Sequence, residues 1–469
     1  MSHGEGEGLE LHIGLDDFDS PSGGCTTHLA SRIVGELARR GAEFLDYPNL
    51  VRLNPAVPWK TRGNGAVAIR VLVGGEGEAM DVLEMVEAIA DEYAREFRNP
   101  KHQPAIAARL GEVSWELRHL GFLALHDVVP LDLAERLASK SGPGTIVRAP
   151  SGRRGIVGAL AAVGNPLEGD HTFELTIYRE PGNYGSPRRV DEESVGRAEA
   201  ESGGALIMNY DPETGRALAV PRGPDPVMLG LRAEQPGPLL EALPKICADE
   251  GAESAVLYRT NQHTDAHVLE VGGVAEAHPY RCVGLAARVS REPRRIEGGH
   301  VIFSVADGTG TLDVAAYEPT KRFRDRVQAL AIGDLVYLVG CVRPPSSRHP
   351  ATLNLEKLRV LELAEKYVLE NPRCPRCGAR MESAGRGKGF RCPKCGYTSR
   401  ELGKVRRAIP RELAPGWYEP PRHAFKHLMK PVARFGREKS WDFRRPWTPL
   451  FLEGGEVSRL MGRRAERCG

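Results

Sequence analysis

Apolar positions along the first hundred residues switch between strand-like runs and helical spacing. The run 11-LHIGL-15 reads as a short strand, and 28-HLASRIVGELARR-40 sets Leu29, Ile33, Val34 and Leu37 on one face of a helix. Residues 67–73 read as a second strand and 80–97 as a second amphipathic helix, so the segment 9–116 is predicted to be α/β. From 117 to 278, helices mix with alternating strands such as 173-FELTIYR-179 and 267-HVLEVGGV-274, separated by the turns 221-PRGPDP-226 and 235-QPGP-238. This segment is predicted to be α+β, with a ferredoxin-like split βαβ as the leading arrangement.

Residues 279–365 carry a clearer pattern. Five strand-like runs follow one another: 283-VGLAARV-289, 300-HVIFSVAD-307, 311-TLDVAAYE-318, 333-GDLVYLVGCVR-343 and 352-TLNLEKLRVLEL-363. One helical piece, 321-KRFRDRVQALA-331, lies between the third and fourth, and 307-DGTG-310 has tight-hairpin chemistry. That order is the order of an OB-fold barrel. Such barrels commonly bind single-stranded nucleic acid, and they can also serve only as spacers. Beyond the barrel the pattern predicts a cysteine-rich piece over 371–400 and a tail over 401–469.

At ~150 residues per domain, 469 residues leave room for about three domains. A composition of 41% hydrophobic and 27% charged residues is that of a soluble globular protein. The longest apolar runs, such as 335-LVYLVGCV-342, fall short of the ~20 residues that cross a bilayer. The opening MSHGEGEGLELHIGLDD lacks the basic-then-apolar order of a signal peptide, so a cytoplasmic location is expected. The net charge of +2 hides an asymmetry: 24 Lys+Arg against 9 Asp+Glu follow Glu370, and 40 against 53 precede it. A basic tail on an acidic body points to a polyanionic partner. The aromatics interleaved with that charge (Trp417, Tyr418, Phe425, Trp441, Phe443, Trp447) either stack on bases or dock the tail onto the body.

Cys374-Pro-Arg-Cys377 and Cys392-Pro-Lys-Cys395 stand 14 residues apart. Each CxxC turn puts two thiolates on one side of a knuckle, and two knuckles complete a closed tetrahedral zinc site, structural rather than catalytic. Cys25, Cys247, Cys282, Cys341 and Cys468 are scattered; most are expected to be packing residues in a reducing compartment.

The chemistry is expected in the loop 16-DDFDSPSGGCTT-27. Asp16, Asp17 and Asp19 are hard oxygen ligands suited to Mg²⁺, which usually arrives with substrate phosphates. Gly23, Gly24, Thr26 and Thr27 lead into a helix whose free backbone N–H groups can hold phosphate. An ordinary N-cap loop with Asx turns would account for one aspartate; three, mutually repelling, call for a cation. No Walker A pattern is present. Three further stretches could bind ligand or simply be solvated surface. In 152-GRRGIVG-158, Arg153, Arg154 and Gly155 have a phosphate-loop style, and in 58-PWKTRGNGAVA-68, Lys60 and Arg62 could neutralise triphosphate. In 258-YRTNQHTDAH-267, Arg259, Asn261, Gln262, His263, Asp265 and His267 crowd polar groups that would suit a cationic or amide-like ligand.

Taken together, 14-GLDDFDSPSGGCTTHLA-30, 54-NPAVPWKTRGNGAVA-68, 155-GIVGALAAVG-164, 170-DHTFELTIYR-179, 259-RTNQHTDAH-267, the barrel and the zinc ribbon closely resemble the archaeal agmatidine (2-agmatinylcytidine) synthetases. The ending 420-PPRHAFKHLMKPVARFG-436 looks like that family's tail as well. The resemblance implies a kinase-like catalytic domain, a ferredoxin-like domain, an OB-fold and a zinc ribbon. It also implies a reaction on the minor, AUA-reading isoleucine tRNA with a CAU anticodon: ATP is cleaved to AMP and phosphates, the C2 oxygen of the wobble cytidine is phosphorylated, and agmatine displaces it. Asp16, Asp17 and Asp19 would then serve metal and phosphate, and Thr26 corresponds to the family's autophosphorylated threonine. With ATP and agmatine as the expected ligands, the residues' own chemistry assigns Gly23, Gly24, Thr27, Lys60, Arg62 and Gly155 to ATP, and Asn261, Gln262 and Asp265 of the polar segment to agmatine. The chain departs from the family's usual pattern at Phe18, where threonine is usual, and at His263, where glycine is common; Phe18 is expected to reshape the nucleotide pocket. Two rival readings stand beside this one. A non-catalytic OB-fold and zinc-ribbon scaffold leaves the acidic loop unexplained, and a kinase of another substrate leaves the barrel and ribbon unexplained.

Overall fold

The computed structural model describes residues 8–60, 63–347, 349–440 and 450–462. Its centre is strand β1 (Leu9–Asp16), whose Leu11, Ile13 and Leu15 are fully buried. Around it the first segment builds α1 (Thr26–Arg39), β2 (Asn49–Arg52), β3 (Gly65–Val73), α2 (Glu76–Glu96) and β4 (Ala105–Leu110). There follow α3 (Trp115–His126), α4 (Leu131–Lys140), β5 (Thr145–Arg148), α5 (Gly155–Gly164) and β6 (Thr172–Arg179). The second segment is completed by α6 (Glu192–Glu201), β7 (Val227–Ala233), α7 (Pro236–Ala242) and β8 (Ala252–Thr260).

These strands make one ten-stranded sheet with the order β7-β6-β8-β2-β3-β1-β4-β5; short strands Glu43–Phe44 and Phe451–Glu453 add to β3 and β8. Helix α1 buries the face its spacing predicts, and it packs with α2 against one side of β1, β3 and β4. Helices α3, α4 and α5 cover the other side. The division expected after residue 116 falls in the first turn of α3, and the sheet runs across it. Strand β5 pairs with β4, and the two halves join where β8 meets β2 in parallel over two residue pairs, Arg259↔Asn49 and Thr260↔Leu50. Parallel ladders are slanted and slightly weaker per residue, so this seam relies on side chains.

The barrel consists of β9 (Cys282–Arg295), β10 (Val301–Ala306), β11 (Thr311–Ala316), α8 (Arg322–Gln328), β12 (Leu335–Arg343) and β13 (Thr352–Glu362). It closes in the order β9-β10-β11-β13-β12-β9, with one parallel pair, β11 and β13. All five predicted strands and the inserted helix are present, the first running on to Arg295. At its base the reading of the scattered cysteines needs correction. Cys282 and Cys341 are register partners on β9 and β12, with Cα atoms 3.8 Å apart, and are joined in a disulfide; Cys247 is disulfide-bonded as well. Cys25 is free and buried, and Cys468 lies outside the described residues.

After a two-stranded stem, Tyr367–Glu370 with Val405–Ala408, a small three-stranded ribbon carries the CxxC knuckles. Of the two fates open to the tail's aromatics, Trp417 docks. It lies in a short strand against β13, edge-on to Tyr337 and Phe435. Trp441, Phe443 and Trp447 lie outside the described residues. The tail's charge is also partly spent on the body. Arg434 is buried against Asp170 and Glu234, and Lys430 reaches Asp170. Among the described residues no helix is long and apolar enough to cross a membrane.

Candidate functional site

The acidic loop leaves the C-terminal end of β1 at the middle of the sheet and re-enters it as α1. Its conformation is set by two features of the sequence. Gly23 takes φ +121°, a region open to glycine. Gly158 on α5 lies against Asp16, where a Cβ would stand 2.0 Å from Asp16 Oδ2. The glycine-rich 155-GIVGALAAVG-164 is thus a helix that must approach β1 closely. Gly155 opens it, its N–H donating to Gln103 O at 3.0 Å.

Each aspartate has a different neighbourhood. Asp17, at φ +64° and nearly fully buried, accepts from Gln103 N at 2.9 Å and Arg154 Nη2 at 3.0 Å. Asp19 accepts the hydroxyl of Thr26 at 3.4 Å, and Thr26 Oγ1 in turn accepts from Phe18 N at 3.2 Å. Asp16 is half-buried, and its carboxyl is pushed well above the usual aspartate range by burial first and then by the charges of Asp17 and Asp19. A carboxyl raised by burial and like charges is one that a bound cation would bring back down. Thr26 is the first residue of α1, 2% exposed, at the positive end of the helix. The loop is closed by Ser20 N donating to Gly24 O at 2.8 Å, and Tyr93 OH caps it by accepting from Cys25 N at 2.8 Å. Burial pushes the Cys25 thiol up to about 12, so it stays protonated and is no nucleophile. Thr27 lends its carbonyl to Tyr258 OH at 2.9 Å.

Two clefts flank Asp17. One, of 290 Å³, is lined by Asp16, Asp17, Gln103, Arg154, Asp127 and Gly158, with Trp59 and Lys60 at its mouth. Desolvation, and then the charge of Lys426, holds Lys60 below the usual lysine range. The other, of 630 Å³, is lined by Asp17, Phe18, Asp19, Phe97, Arg98 and His102. Phe18 is buried in the core beside it, so the departure from the usual threonine gives this cleft an aromatic wall. Arg62 lies outside the described residues.

Arg153 is on Glu135, away from the aspartates, whereas Arg154 joins them. Gln103 and His102 escape a reading of the sequence, since a lone Gln after a helix carries no local signal. The segment 259–267 is placed differently from the loop residues. Asn261 exchanges two hydrogen bonds with the backbone of Arg52, at 2.8 and 2.9 Å. Gln262 bonds Glu174 and accepts from His427 Nδ1 at 2.9 Å. Asp265 meets Lys357 and accepts from Lys430 N at 2.7 Å. None of the three lines either cleft beside Asp17.

In the ribbon, Cys374, Cys377, Cys392 and Cys395 place their sulfurs within 4.8 Å of one another. Bonds of ~2.3 Å to a central zinc give such separations, and four thiolates leave no open position. The backbone N–H of Cys395 and then Cys377 pull the Cys392 thiol down to about 6, toward the thiolate a metal needs.

Comparison with known proteins agrees along most of the chain. Three family models match: the TiaS TCKD domain over residues 12–114, the TiaS FLD domain over 153–267 and the TiaS C-terminal zinc ribbon domain over 371–413. The isoleucine-tRNA 2-agmatinylcytidine synthetase TiaS of Staphylothermus marinus is 47% identical over 434 residues, 92% of this chain and 95% of the relative. That of Archaeoglobus fulgidus is 39% identical, covering 93% of this chain and all of the relative. The crystal structure of TiaS in complex with its isoleucine tRNA and ATP superposes with a TM-score of 0.81 at 37% identity, over 93% of this chain and 100% of the other.

Proposed function

The chain belongs to the TiaS family of isoleucine-tRNA 2-agmatinylcytidine synthetases, and we propose that the loop from Asp16 to Thr27 is where it handles the phosphates of ATP. The protein is an ATP-dependent, tRNA-modifying ligase that joins agmatine to the wobble cytidine of the minor isoleucine tRNA. One observation carries the assignment of the loop: Thr26, at a helix N-terminus, donates its hydroxyl to Asp19, while Asp16 and Asp17 stand at the adjoining strand end. In this reading residues 9–116 form the kinase-like part, 117–278 the ferredoxin-like part and 279–365 an OB-fold that contacts RNA. The cytoplasm, where its tRNA substrate is found, is its proposed place of work.

Asp19 is within reach to take the Thr26 proton as Thr26 Oγ1 attacks a phosphoryl group. Mg²⁺, bound by the Asp16, Asp17 and Asp19 carboxylates, would neutralise phosphate charge. The donor set fits that ion, because burial and like charge push the Asp16 carboxyl well above its usual range and a divalent cation would relieve the repulsion. Gly24 and Thr27 would offer backbone N–H groups to the phosphates, while Gly23 and Gly155, whose N–H groups go to Ser20 and Gln103, would shape the loop around them; Lys60, which lines the cleft, would supply positive charge, and Arg62 is proposed to add to it. Phosphorylation of the cytidine C2 oxygen turns a poor electrophile into one with a leaving group; the amine of agmatine forms the new C–N bond as phosphate departs. Agmatine's guanidinium needs carboxylate or carbonyl partners. Asn261, Gln262 and Asp265 are proposed to reach agmatine directly, which requires them to exchange their present contacts with Arg52, Glu174 and Lys357 for the ligand.

The test is nucleoside mass spectrometry of the CAU-anticodon isoleucine tRNA after incubation with protein, ATP, Mg²⁺ and agmatine. A cytidine heavier by the agmatine residue, absent when agmatine or ATP is left out, is expected. An unmodified cytidine under complete conditions would leave a scaffold that binds tRNA without chemistry.

A further inference from the structure

Away from the acidic loop, a second cluster of ligand-type side chains is buried where the sheet body, the barrel and the tail meet. His267, Cys282, Cys341 and Glu356 are 1%, 1%, 3% and 2% exposed. His267, Cys282 and Cys341 each bring a ligand atom within 4.8 Å of the others. His267 Nε2 lies 3.1 Å from Glu356 Oε2, and Lys426 Nζ lies 2.8 Å from Glu356 Oε1.

Both oxygens of Glu356 are thus engaged, and His267 spends Nε2 on one of them, which leaves Nδ1 as the ring nitrogen open to another partner. That Nδ1 is buried and has no hydrogen-bond partner. A buried polar nitrogen left without a partner is costly to the fold. A histidine tied to a carboxylate through one nitrogen, with the other unpartnered and two cysteine sulfurs near the ring, is the arrangement in which imidazole ligates metals.

We propose that in its reduced form the chain binds a second zinc ion through His267, Cys282 and Cys341, the disulfide and the metal being alternative occupants of one site. A dithiol reductant passes two electrons and two protons to the Cys282–Cys341 disulfide and itself becomes a disulfide. The two thiols then release two protons as two Zn–S bonds form, and the Nδ1 lone pair completes a third bond. Two thiolates balance Zn²⁺ while Lys426 balances Glu356, so the burial leaves no net charge. Glu356 Oε1, 3.5 Å from Cys341 Sγ, is an oxygen that could serve as a fourth ligand.

The full chain is reduced anaerobically with dithiothreitol, exchanged into zinc-buffered solution and assayed for zinc by mass spectrometry alongside a thiol count. Reduced protein should hold two zinc ions per chain and oxidised protein one, in the ribbon. Cys282→Ser and His267→Gln should each return the reduced protein to one. Cobalt substitution of the reduced wild type provides a reading that needs no variant: the sulfur-to-cobalt charge-transfer band should exceed that of the oxidised protein by roughly 1.5-fold, as six sulfurs exceed four. A single zinc in the fully reduced wild type, two in Cys282→Ser, or an unchanged cobalt band would each overturn the proposal.

Discussion

Replacing Arg259 by methionine should unseat the joint between the two halves of the sheet. Arg259 and Asp46 are both 0% exposed. The guanidinium bonds both oxygens of Asp46, with Nε–Oδ1 at 3.1 Å, and also the carbonyls of Leu167 at 2.5 Å and Pro166 at 2.7 Å. It does so where β8 and β2 share two register pairs, so these contacts stand in for a longer ladder. Arg259→Met strips the guanidinium from a carboxylate that has no access to water, although Asn49 Nδ2 still donates to it at 2.9 Å. Breaking a buried pair in this way costs about 3–5 kcal/mol, a large share of the ~5–15 kcal/mol that holds a domain folded. Guanidinium chloride unfolding, followed by tryptophan fluorescence and circular dichroism, measures the loss. Asp46→Leu should cost a similar amount, yet Arg259→Met/Asp46→Leu should cost less than the two added, with a coupling of about 2 kcal/mol or more. Single variants within about 1 kcal/mol of wild type, or fully additive ones, would show that the pair does not hold the seam.

Zinc removal by a strong chelator, or Cys374→Ser/Cys377→Ser, should unfold the ribbon while leaving the sheet and barrel circular dichroism in place, because the ribbon's core is little more than its cysteines and Met381; elemental analysis and near-ultraviolet spectra check this. The exposed ribbon cations Arg376, Arg391 and Lys394 should contribute to tRNA affinity by counterion release. Changing all three to glutamine should lower the slope of log affinity against log salt by roughly 0.7–0.9 for each phosphate no longer neutralised; an unchanged slope removes the ribbon from the RNA interface. Burial pushes His171 down to about 4. With the folded value below the unfolded ~6.5, the unfolded chain takes the proton first, so stability is full above pH 6.5 and falls by about 1.4 kcal/mol per unit down to pH 4. His171→Gln should flatten that slope by the same amount in denaturation midpoints taken between pH 7 and 4.5, and parallel slopes would contradict it.

What could be read in the sequence was local. The helical face of α1, the five barrel strands and the paired CxxC knuckles each lie within a few tens of residues and follow from side-chain period or spacing. The continuous sheet was not legible, because β8 and β2 meet across some 200 residues and their pairing leaves no periodic mark. The polar run 258-YRTNQHTDAH-267 was legible as unusual but not as to its use. A ligand site and a polar joint demand the same residue types, and the structure shows Arg259, Asn261 and Asp265 engaged with Asp46, Arg52 and Lys357. His263 takes φ +58°, the left-handed region that favours glycine. The disulfide between Cys282 and Cys341 depends on a strand register that spacing alone could not supply.

The most direct measurement of the catalytic assignment is paired nucleoside and phosphopeptide mass spectrometry on Thr26→Ala and Asp16→Asn. Both substitutions suit the fold: alanine is small at a helix start, and asparagine is a neutral match for a carboxyl already pushed toward its protonated form. Loss of a charge-neutralising group removes several kcal/mol of transition-state stabilisation, roughly a hundredfold or more in rate. Each variant is expected to bind the minor isoleucine tRNA like wild type and to form little or no agmatine-bearing cytidine; wild type is expected to yield a phosphorylated Thr26 peptide and Thr26→Ala to lack it. Modification at the wild-type rate in both variants would show that this loop is not where the chemistry occurs.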